Sequence, residues 1–201
     1  MVEEEKFMNE IEELEKILSE KIENDEEWDT LDIEDVKPRY VGKLKEHLQD
    51  LPPQAVVLAI LVKYFERFKE PVKITKFTKI TFEVDKKVLE PILSKPLLSF
   101  KADNFGPFTE EIYDNMGFLQ NLDLIEIEQE GEGDKTEFIL TEKGSEVFRE
   151  RVSKQIPETV IKMIETIVDR YGSLSHDELL QQVYNEYPDF ADKSLVRDKY
   201  L

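Results

Sequence analysis

Apolar residues in the first fifty positions recur at intervals of three and four, which is the spacing of helices with one buried side. The first such seam consists of Phe7, Ile11, Leu14 and Leu18, with Ile22 one step further. It covers barely two heptads, so we expect it to pack on the rest of the chain or on a second copy. A second amphipathic helix follows, with Pro38 in its first turn and an apolar side made of Val41, Leu44, Leu48 and Leu51.

The pattern changes at Pro53, which is placed to begin a third helix. Residues 55–68, AVVLAILVKYFERF, are apolar on nearly every side, which predicts a central, buried helix. Residues 72–85 fit both a helical stripe and a strand-like alternation, and we favour the helix.

Turn-forming residues mark the middle of the chain. A short extended piece at 98–102 leads into the sequence DNFGP at 103–107, which predicts a turn. Thr109 is placed to cap the helix after it. The predicted apolar side of that helix consists of Ile112, Met116, Leu119 and Leu122.

Residues 124–140 carry the signature of a β-hairpin, because apolar and charged residues alternate on both sides of the turn sequence EGEGD at 130–134. The alternation predicts a shared buried face made of Ile125, Ile127, Phe138 and Leu140. Helices are predicted beyond the hairpin, with Thr141 as a cap, Pro157 at the next start, and a capping box at 175–178.

The order of these elements is helix, helix, short strand, turn, helix, hairpin and helix. This is the order of a winged helix, a helix-turn-helix variant whose wing is a β-hairpin. We therefore expect a mostly α fold with a small β-hairpin. Its predicted parts are an acidic helical extension at 1–53 and a winged-helix-like domain at 54–201.

Several stretches of the second part form a set of motifs. They are KFTKITF at 76–82, DNFGPFTEEIYDN at 103–115, Leu119 followed by LDLI at 122–125, LTEKG at 140–144, and LLQQVYNEYPDFADKS at 179–194. The set resembles the Panacea-domain and YwgA-like proteins, a group that includes SocA-like antitoxins, over residues 55–195. The resemblance implies a winged-helix fold and a regulatory or adaptor role, and it implies no reaction.

Charge is distributed unevenly along the chain, whose net charge is −19. Residues 1–54 hold 18 acidic and 7 basic side chains, residues 55–101 hold 5 and 10, and residues 102–201 hold 23 and 10. The helix predicted at 109–121 corresponds to the one that reads DNA in a winged helix, yet it has three carboxylates and no Lys or Arg. Together with the acidic turn of the hairpin, this predicts weak or indirect DNA binding.

Two groups of residues are candidate binding sites. The basic middle of the chain is a candidate for nucleic acid or an acidic partner, through Lys63, Arg67, Lys73, Lys76, Lys79, Lys86 and Lys87. The alternative is an ordinary solvated face that neutralises the acidic N-terminal segment. Phe105, Phe108 and Tyr113 are a candidate aromatic patch for a partner protein, and the alternative is that these rings close the core around the turn.

Composition narrows the chemistry further. The chain has no Cys and only two His, and its 7 Gly form no phosphate-binding loop, so we expect no enzyme, no cofactor and no metal site. His176 beside Asp177 and Glu178 belongs to the predicted capping box. The longest apolar run, at 55–62, has eight residues, and no signal peptide precedes it, which favours a cytoplasmic protein without a membrane span.

The expected function is therefore a non-catalytic regulatory or interaction module, an adaptor or antitoxin-like protein whose partner is another protein. The alternative is a transcription regulator that contacts DNA through the internal basic face. Residues 1–53 are expected either to dock on residues 55–101, which carry the opposite charge, or to pair with a second copy as a homodimer.

Overall fold

The computed structural model describes residues 38–129 and 136–200, with side chains at 41–129 and 136–199. The seam predicted at 7–22 and the turn sequence at 130–134 lie outside the described residues. Within those residues the fold is mostly α-helical with small antiparallel sheets, so the predicted fold class is confirmed.

The helices are α1 Pro38–Leu48, α2 Pro53–Phe68, α3 Ile74–Val84, α4 Glu90–Leu93, α5 Glu111–Asn121, α6 Glu142–Val147, α7 Glu158–Gly172, α8 His176–Glu186, α9 Pro188–Ala191 and α10 Arg197–Tyr200. A π-helical turn at Asp85–Leu89 joins α3 to α4, and another at Phe148–Val152 extends α6. The strands are β1 Val72–Lys73, β2 Lys101–Asp103, β3 Gly106–Phe108, β4 Ile125–Gln129 and β5 Thr136–Leu140.

The elements from α2 to β5 have the connectivity of a winged helix. The first sheet has the strand order β1-β5-β4, with both pairs antiparallel, so the strand before α3 returns to lie beside the hairpin. The predicted hairpin is confirmed, with Ile125 opposite Leu140 and Ile127 opposite Phe138. Ile125 and Phe138 are buried and their partners half-buried, which places all four on the core side as the alternation predicts.

Helix α2 is the centre of the core, as its apolar composition predicts. Pro53 occupies its first turn, and residues 55–62 are all buried. Helix α7 packs along it through a buried stripe that includes Val160, Ile164 and Ile167. The two helices bury their apolar sides against each other, which contributes about 1.5–3 kcal/mol for each large side chain removed from water.

The ambiguous segment at 72–85 is mainly helical, so the favoured interpretation is confirmed. Only its first two residues are extended, and they form β1. Helix α3 is buried from Phe77 to Val84, because α7, α8 and β3 surround it. Several of its polar residues, including Lys79 and Glu83, are buried as well, so polar positions do not mark a solvent side and the sequence does not distinguish helix from strand.

The turn predicted at 103–107 is part of a two-stranded sheet that the sequence does not predict. Strands β2 and β3 pair with Asp103 opposite Gly106, so Asn104 and Phe105 form the tip. Gly106 has a φ of 86°, and a Cβ on it would lie 2.6 Å from a ring carbon of Tyr184. The N-cap of the next helix is Glu110 and not Thr109 as predicted, although the Thr109 hydroxyl accepts the Glu111 N–H at 3.3 Å from one residue earlier.

The described part of the N-terminal extension is packed on the domain in the same chain. Helix α1 contacts α4, and its Leu44 and Leu48 are buried in the common core. Leu51 follows the end of the helix and is half-buried against the same core.

Candidate protein-interaction site

Two of the predicted basic residues are inside the protein. The side chain of Lys79 is buried, at 3% exposure for the residue, and its Nζ donates to the Pro107 carbonyl at 2.9 Å. Lys87 is enclosed among helices, with its Nζ 2.6 Å from Glu186 and 3.8 Å from Glu83. Neither cation is available to a phosphate group in solution. Lys79 and Lys87 therefore do not belong to an exposed basic face, contrary to the prediction.

The other predicted cations are mostly engaged with their own chain. Lys63 lies 2.9 Å from Glu66 and 3.7 Å from Glu165, and Arg67 lies 3.2 Å from Asp169. Lys86 pairs with Glu90, Lys76 donates to the Gly172 carbonyl, and Lys73 is exposed. In the described part of the chain, the carboxylates that pair with Lys63, Arg67 and Lys86 therefore lie between residues 66 and 169. These seven residues do not form one continuous exposed basic face.

The predicted aromatic patch is brought together in space. Phe105 at the tip of the β2–β3 hairpin, Phe108 in β3 and Tyr113 in α5 line one open groove of about 360 Å³. The ring centroids of Phe108 and Tyr113 are 6.2 Å apart. Phe105 and Tyr113 are 47% and 49% exposed, so these two rings do not close the core.

Beyond Tyr113, further apolar residues lie exposed on the outward side of helix α5. Tyr113, Gly117 and Phe118 follow one another along that side, and Leu122 comes just past the end of the helix. Phe118 is 50% exposed and Leu122 is 45% exposed. We call these four residues the α5 face.

Leu122 corrects one prediction. It was expected on the buried side with Ile112, Met116 and Leu119, which are indeed buried. The helix ends at Asn121, however, and the backbone of Leu122 leaves the helical path at φ −93° and ψ 3°. Leu124 takes the core position instead, and Leu122 faces outward.

Charge around the α5 face is acidic. No Lys or Arg occurs between Glu111 and Asn121. Glu110 is exposed and pairs with Lys101 at 3.1 Å, while Asp114 is exposed and has no ion-pair partner in the described part of the chain. An apolar surface bordered by carboxylates suits contact with a protein, whereas phosphate groups would be repelled.

The motif at 140–144 anchors the wing to the helix that follows it. Thr141 begins α6, and its hydroxyl accepts the Gly144 N–H at 3.0 Å and lies 2.8 and 2.9 Å from the carbonyls of Asp123 and Leu124. A Cβ on Gly144 would lie 2.1 Å from the Leu124 carbonyl oxygen. The threonine and the glycine of this motif therefore have structural roles.

The motifs at 103–115 and 179–194 contact each other. The Asn104 carbonyl at the hairpin tip accepts the Ser194 hydroxyl at 3.2 Å and the Leu195 N–H at 3.0 Å. Tyr184, whose ring covers Gly106, has its hydroxyl 2.7 Å from the Ser194 hydroxyl. The C-terminal part of the described chain thus fixes the hairpin that presents Phe105.

A buried carboxylate cluster lies elsewhere, between α3, α7 and α8. Burial and the nearby Glu186 raise the pKa of Glu83 to about 8, although Lys87 and the hydroxyls of Tyr171 and Tyr187 oppose this shift. One Glu83 oxygen accepts from the Tyr187 hydroxyl at 3.3 Å, and the other has no hydrogen-bond partner among the residues that the structure describes. The cluster links the α3 and α8 helices and does not line the aromatic groove.

This raised pKa predicts a pH-dependent stability. The folded state holds a proton on Glu83 up to about pH 8, whereas the unfolded chain releases it near 4.5, so stability falls as the pH rises through that window. Between pH 6.5 and 9 we expect a loss of about 2 kcal/mol. In Glu83→Gln this loss should disappear from urea titrations.

Asp85→Asn is the matched control, because burial raises the pKa of Asp85 only to about 6, so most of its titration lies below pH 6.5. That variant should keep the loss of stability above pH 6.5. An unchanged profile in Glu83→Gln would contradict the assignment to Glu83.

A second cavity, of about 590 Å³, is lined by side chains of both charges. They include Glu70, Lys73, Lys76, Glu137 and His176. His176 opens α8 next to the capping box formed by Ser175 and Glu178, as the sequence predicts. Across residues 38–129 and 136–200, no three His, Cys, Asp or Glu side chains converge as metal ligands.

A comparison of the chain with protein-family models finds no match, and neither does a comparison with curated proteins. The resemblance described above therefore stays a prediction. Every helix in the described part of the chain is too short or too polar to span a bilayer.

Proposed function

We propose that this chain is a non-catalytic regulatory or adaptor module that acts in the cytoplasm by binding another protein. The surface responsible is the α5 face together with the aromatic groove beside it. In a DNA-binding winged helix the helix in this position enters the major groove and presents amide and basic side chains. Here it presents Tyr113, Phe118 and Leu122, each about half exposed, and this observation carries the proposal.

The aromatic content of the surface agrees with this role. Tyr and Phe are enriched at the centres of protein interfaces, because a ring buries a large area and loses little conformational entropy. Phe105, Phe108 and Tyr113 provide three rings around one groove, and Phe118 adds a fourth on the same helix as Tyr113. An antitoxin-like role, as the resemblance implies, is one form that such binding takes.

The competing proposal is a regulator that contacts DNA through the internal basic face. Several of its residues are paired with carboxylates or buried, which argues against it. The net charge of −19 adds a general repulsion from a polyanion. We expect no salt-sensitive affinity for random duplex DNA in the sub-micromolar range at physiological salt.

Replacing Phe118 by serine tests the proposal. The tagged chain is used to retain its partner from lysate of the cells that make it, with and without nuclease treatment. Loss of an interface ring typically costs about 2 kcal/mol, so the Phe118→Ser variant should bind the partner about 30-fold more weakly. The dissociation constant is measured once the partner is purified.

Leu195→Ser is the matched control, because Leu195 is apolar, 76% exposed and lies outside helix α5. That variant should bind as the wild type does. Retention that depends on nucleic acid, or that is lost equally in both variants, would contradict the proposal.

A further inference from the structure

The glycine in the middle of α5 is not explained by the fold. A Cβ on Gly117 would meet nothing within 4 Å, whereas a Cβ on Gly144 or Gly172 would collide with neighbouring atoms. Glycine inside a helix is less favourable than alanine by about 1 kcal/mol, because the unfolded chain has more freedom to lose. Gly117 therefore leaves open space on the surface of α5, next to exposed aromatic side chains.

Gly117 forms a notch in the α5 face. Tyr113 lies one turn before it on the same side of the helix, and Phe118 follows it directly. Helices approach each other closely where a small residue faces the partner's backbone and larger side chains pack on both sides. The arrangement therefore suits another helix lying across α5, with its apolar residues between the rings.

Charge identifies the chemistry of that helix. Asp114 is one turn before Gly117 and Phe118, and it has no ion-pair partner among the described residues. A second copy of this chain would bring an equally acidic face to the contact. Residues 1–37, which hold 16 acidic and 4 basic side chains, would be repelled as well.

We propose that the α5 face binds an amphipathic helix of a partner protein that carries Lys or Arg beside its apolar residues and crosses α5 at Gly117. This inference rests on the proposed function and names the partner's chemistry. The apolar side of the partner helix packs on Phe118 and Tyr113, while a basic side chain next to it pairs with Asp114. Such recognition of a helix by an apolar surface is a common mode of peptide binding.

The test uses synthetic peptides of about 18 residues, long enough to be helical. One peptide has Leu at helical spacing and Lys elsewhere, a second is its scrambled form, and a third has Glu in place of Lys. Fluorescence anisotropy at physiological salt measures their binding to the full chain. The Leu/Lys helix should bind at least tenfold more tightly than the scrambled peptide, and the Leu/Glu helix should not bind.

Two glycine variants separate a contact at Gly117 from a change in helix stability. A Cβ on Gly42, in α1, would also meet nothing within 4 Å. Gly117→Ala and Gly42→Ala should each raise the melting temperature by about 2–4 °C. Only Gly117→Ala should weaken binding of the Leu/Lys helix, by about tenfold, and Asp114→Asn should weaken it about threefold.

Equal binding of the helical and scrambled peptides, or full binding by Gly117→Ala, would overturn this inference. So would a dimer of the chain in sedimentation that Phe118→Ser dissociates, because a second copy would then occupy the face. In either case the proposed function would still hold if Phe118→Ser no longer bound the purified partner while Leu195→Ser bound it normally. If Phe118→Ser retains the partner while the peptide results hold, the proposed function fails instead.

Discussion

Gly144→Ala should destabilise the folded chain by at least about 3 kcal/mol. The added Cβ would lie 2.1 Å from the Leu124 carbonyl oxygen and 2.8 Å from a methyl carbon of Leu140. The first of these atoms belongs to the backbone, so a side-chain rotation cannot relieve the contact. The base of the wing must move away from α6, which also disturbs the three hydrogen bonds of the Thr141 hydroxyl.

Thermal unfolding followed by circular dichroism measures this effect. For a chain of this size about 1 kcal/mol corresponds to 2–4 °C, so the melting temperature should fall by about 6–12 °C. Gly42→Ala, whose new methyl group has open space, should not lower it. A fall of less than 2 °C in Gly144→Ala would mean that the wing and α6 separate at little cost.

The second large effect is expected at the buried carboxylate cluster. Lys87→Met should destabilise the protein by about 3–5 kcal/mol, because it leaves Glu186, and above about pH 8 also Glu83, without a cation. The Lys87 Nζ is 2.6 Å from Glu186 and 3.8 Å from Glu83, and the rings of Tyr171 and Tyr187 lie within 6 Å of it. Methionine keeps the length of the side chain, so the loss measures charge and hydrogen bonding more than packing.

A double variant tests this explanation. Adding Glu83→Gln to Lys87→Met removes the more deeply buried carboxylate, so at pH 8 or above part of the lost stability should return. Lys101→Met is the control, because the Lys101–Glu110 pair is exposed and should contribute less than about 1 kcal/mol. Urea unfolding of all variants supplies the free energies. No recovery in the double variant would contradict the explanation that Lys87 neutralises Glu83.

The sequence predicts those elements whose pattern comes from their local surroundings. Helix α2 is apolar on every side because it is central, and the β4–β5 hairpin alternates because one of its faces is buried. The Thr141 cap and the capping box at Ser175 are local as well, since each involves residues within four positions. The β2–β3 sheet was missed because its three-residue strands are too short for a periodic pattern.

Long-range contacts explain the errors in the basic face. The partners of Lys76 and Lys87 are 96 and 99 residues away along the chain, so their engagement is invisible in the local sequence. Lys79 is buried because α3 has no solvent side, and composition alone assigns any lysine to the surface. Residues 55–101 do hold more basic than acidic side chains. The electrostatic potential at the protein surface, however, depends on which of these charges are paired or buried.

The aromatic groove was partly predictable. Phe105, Phe108 and Tyr113 are close in sequence and flank a turn, so their proximity follows from local structure. Phe118 was not identified, since a single aromatic residue on a helix with a separate apolar side carries no signal of its own. Phe118 is exposed because the burial of Ile112 and Met116 fixes how helix α5 is rotated about its own axis.

The contact between Asn104 and Ser194 also sets a time order for the chain as it is made. Ser194 is translated 90 residues after Asn104, which at about 5–20 residues per second is a delay of roughly 5–20 s. During this interval the nascent hairpin tip has neither the Ser194 hydroxyl nor the Tyr184 ring to hold it. Phe105 therefore reaches its final position only after Ser194 has left the ribosome, and the groove becomes competent for binding no earlier than that.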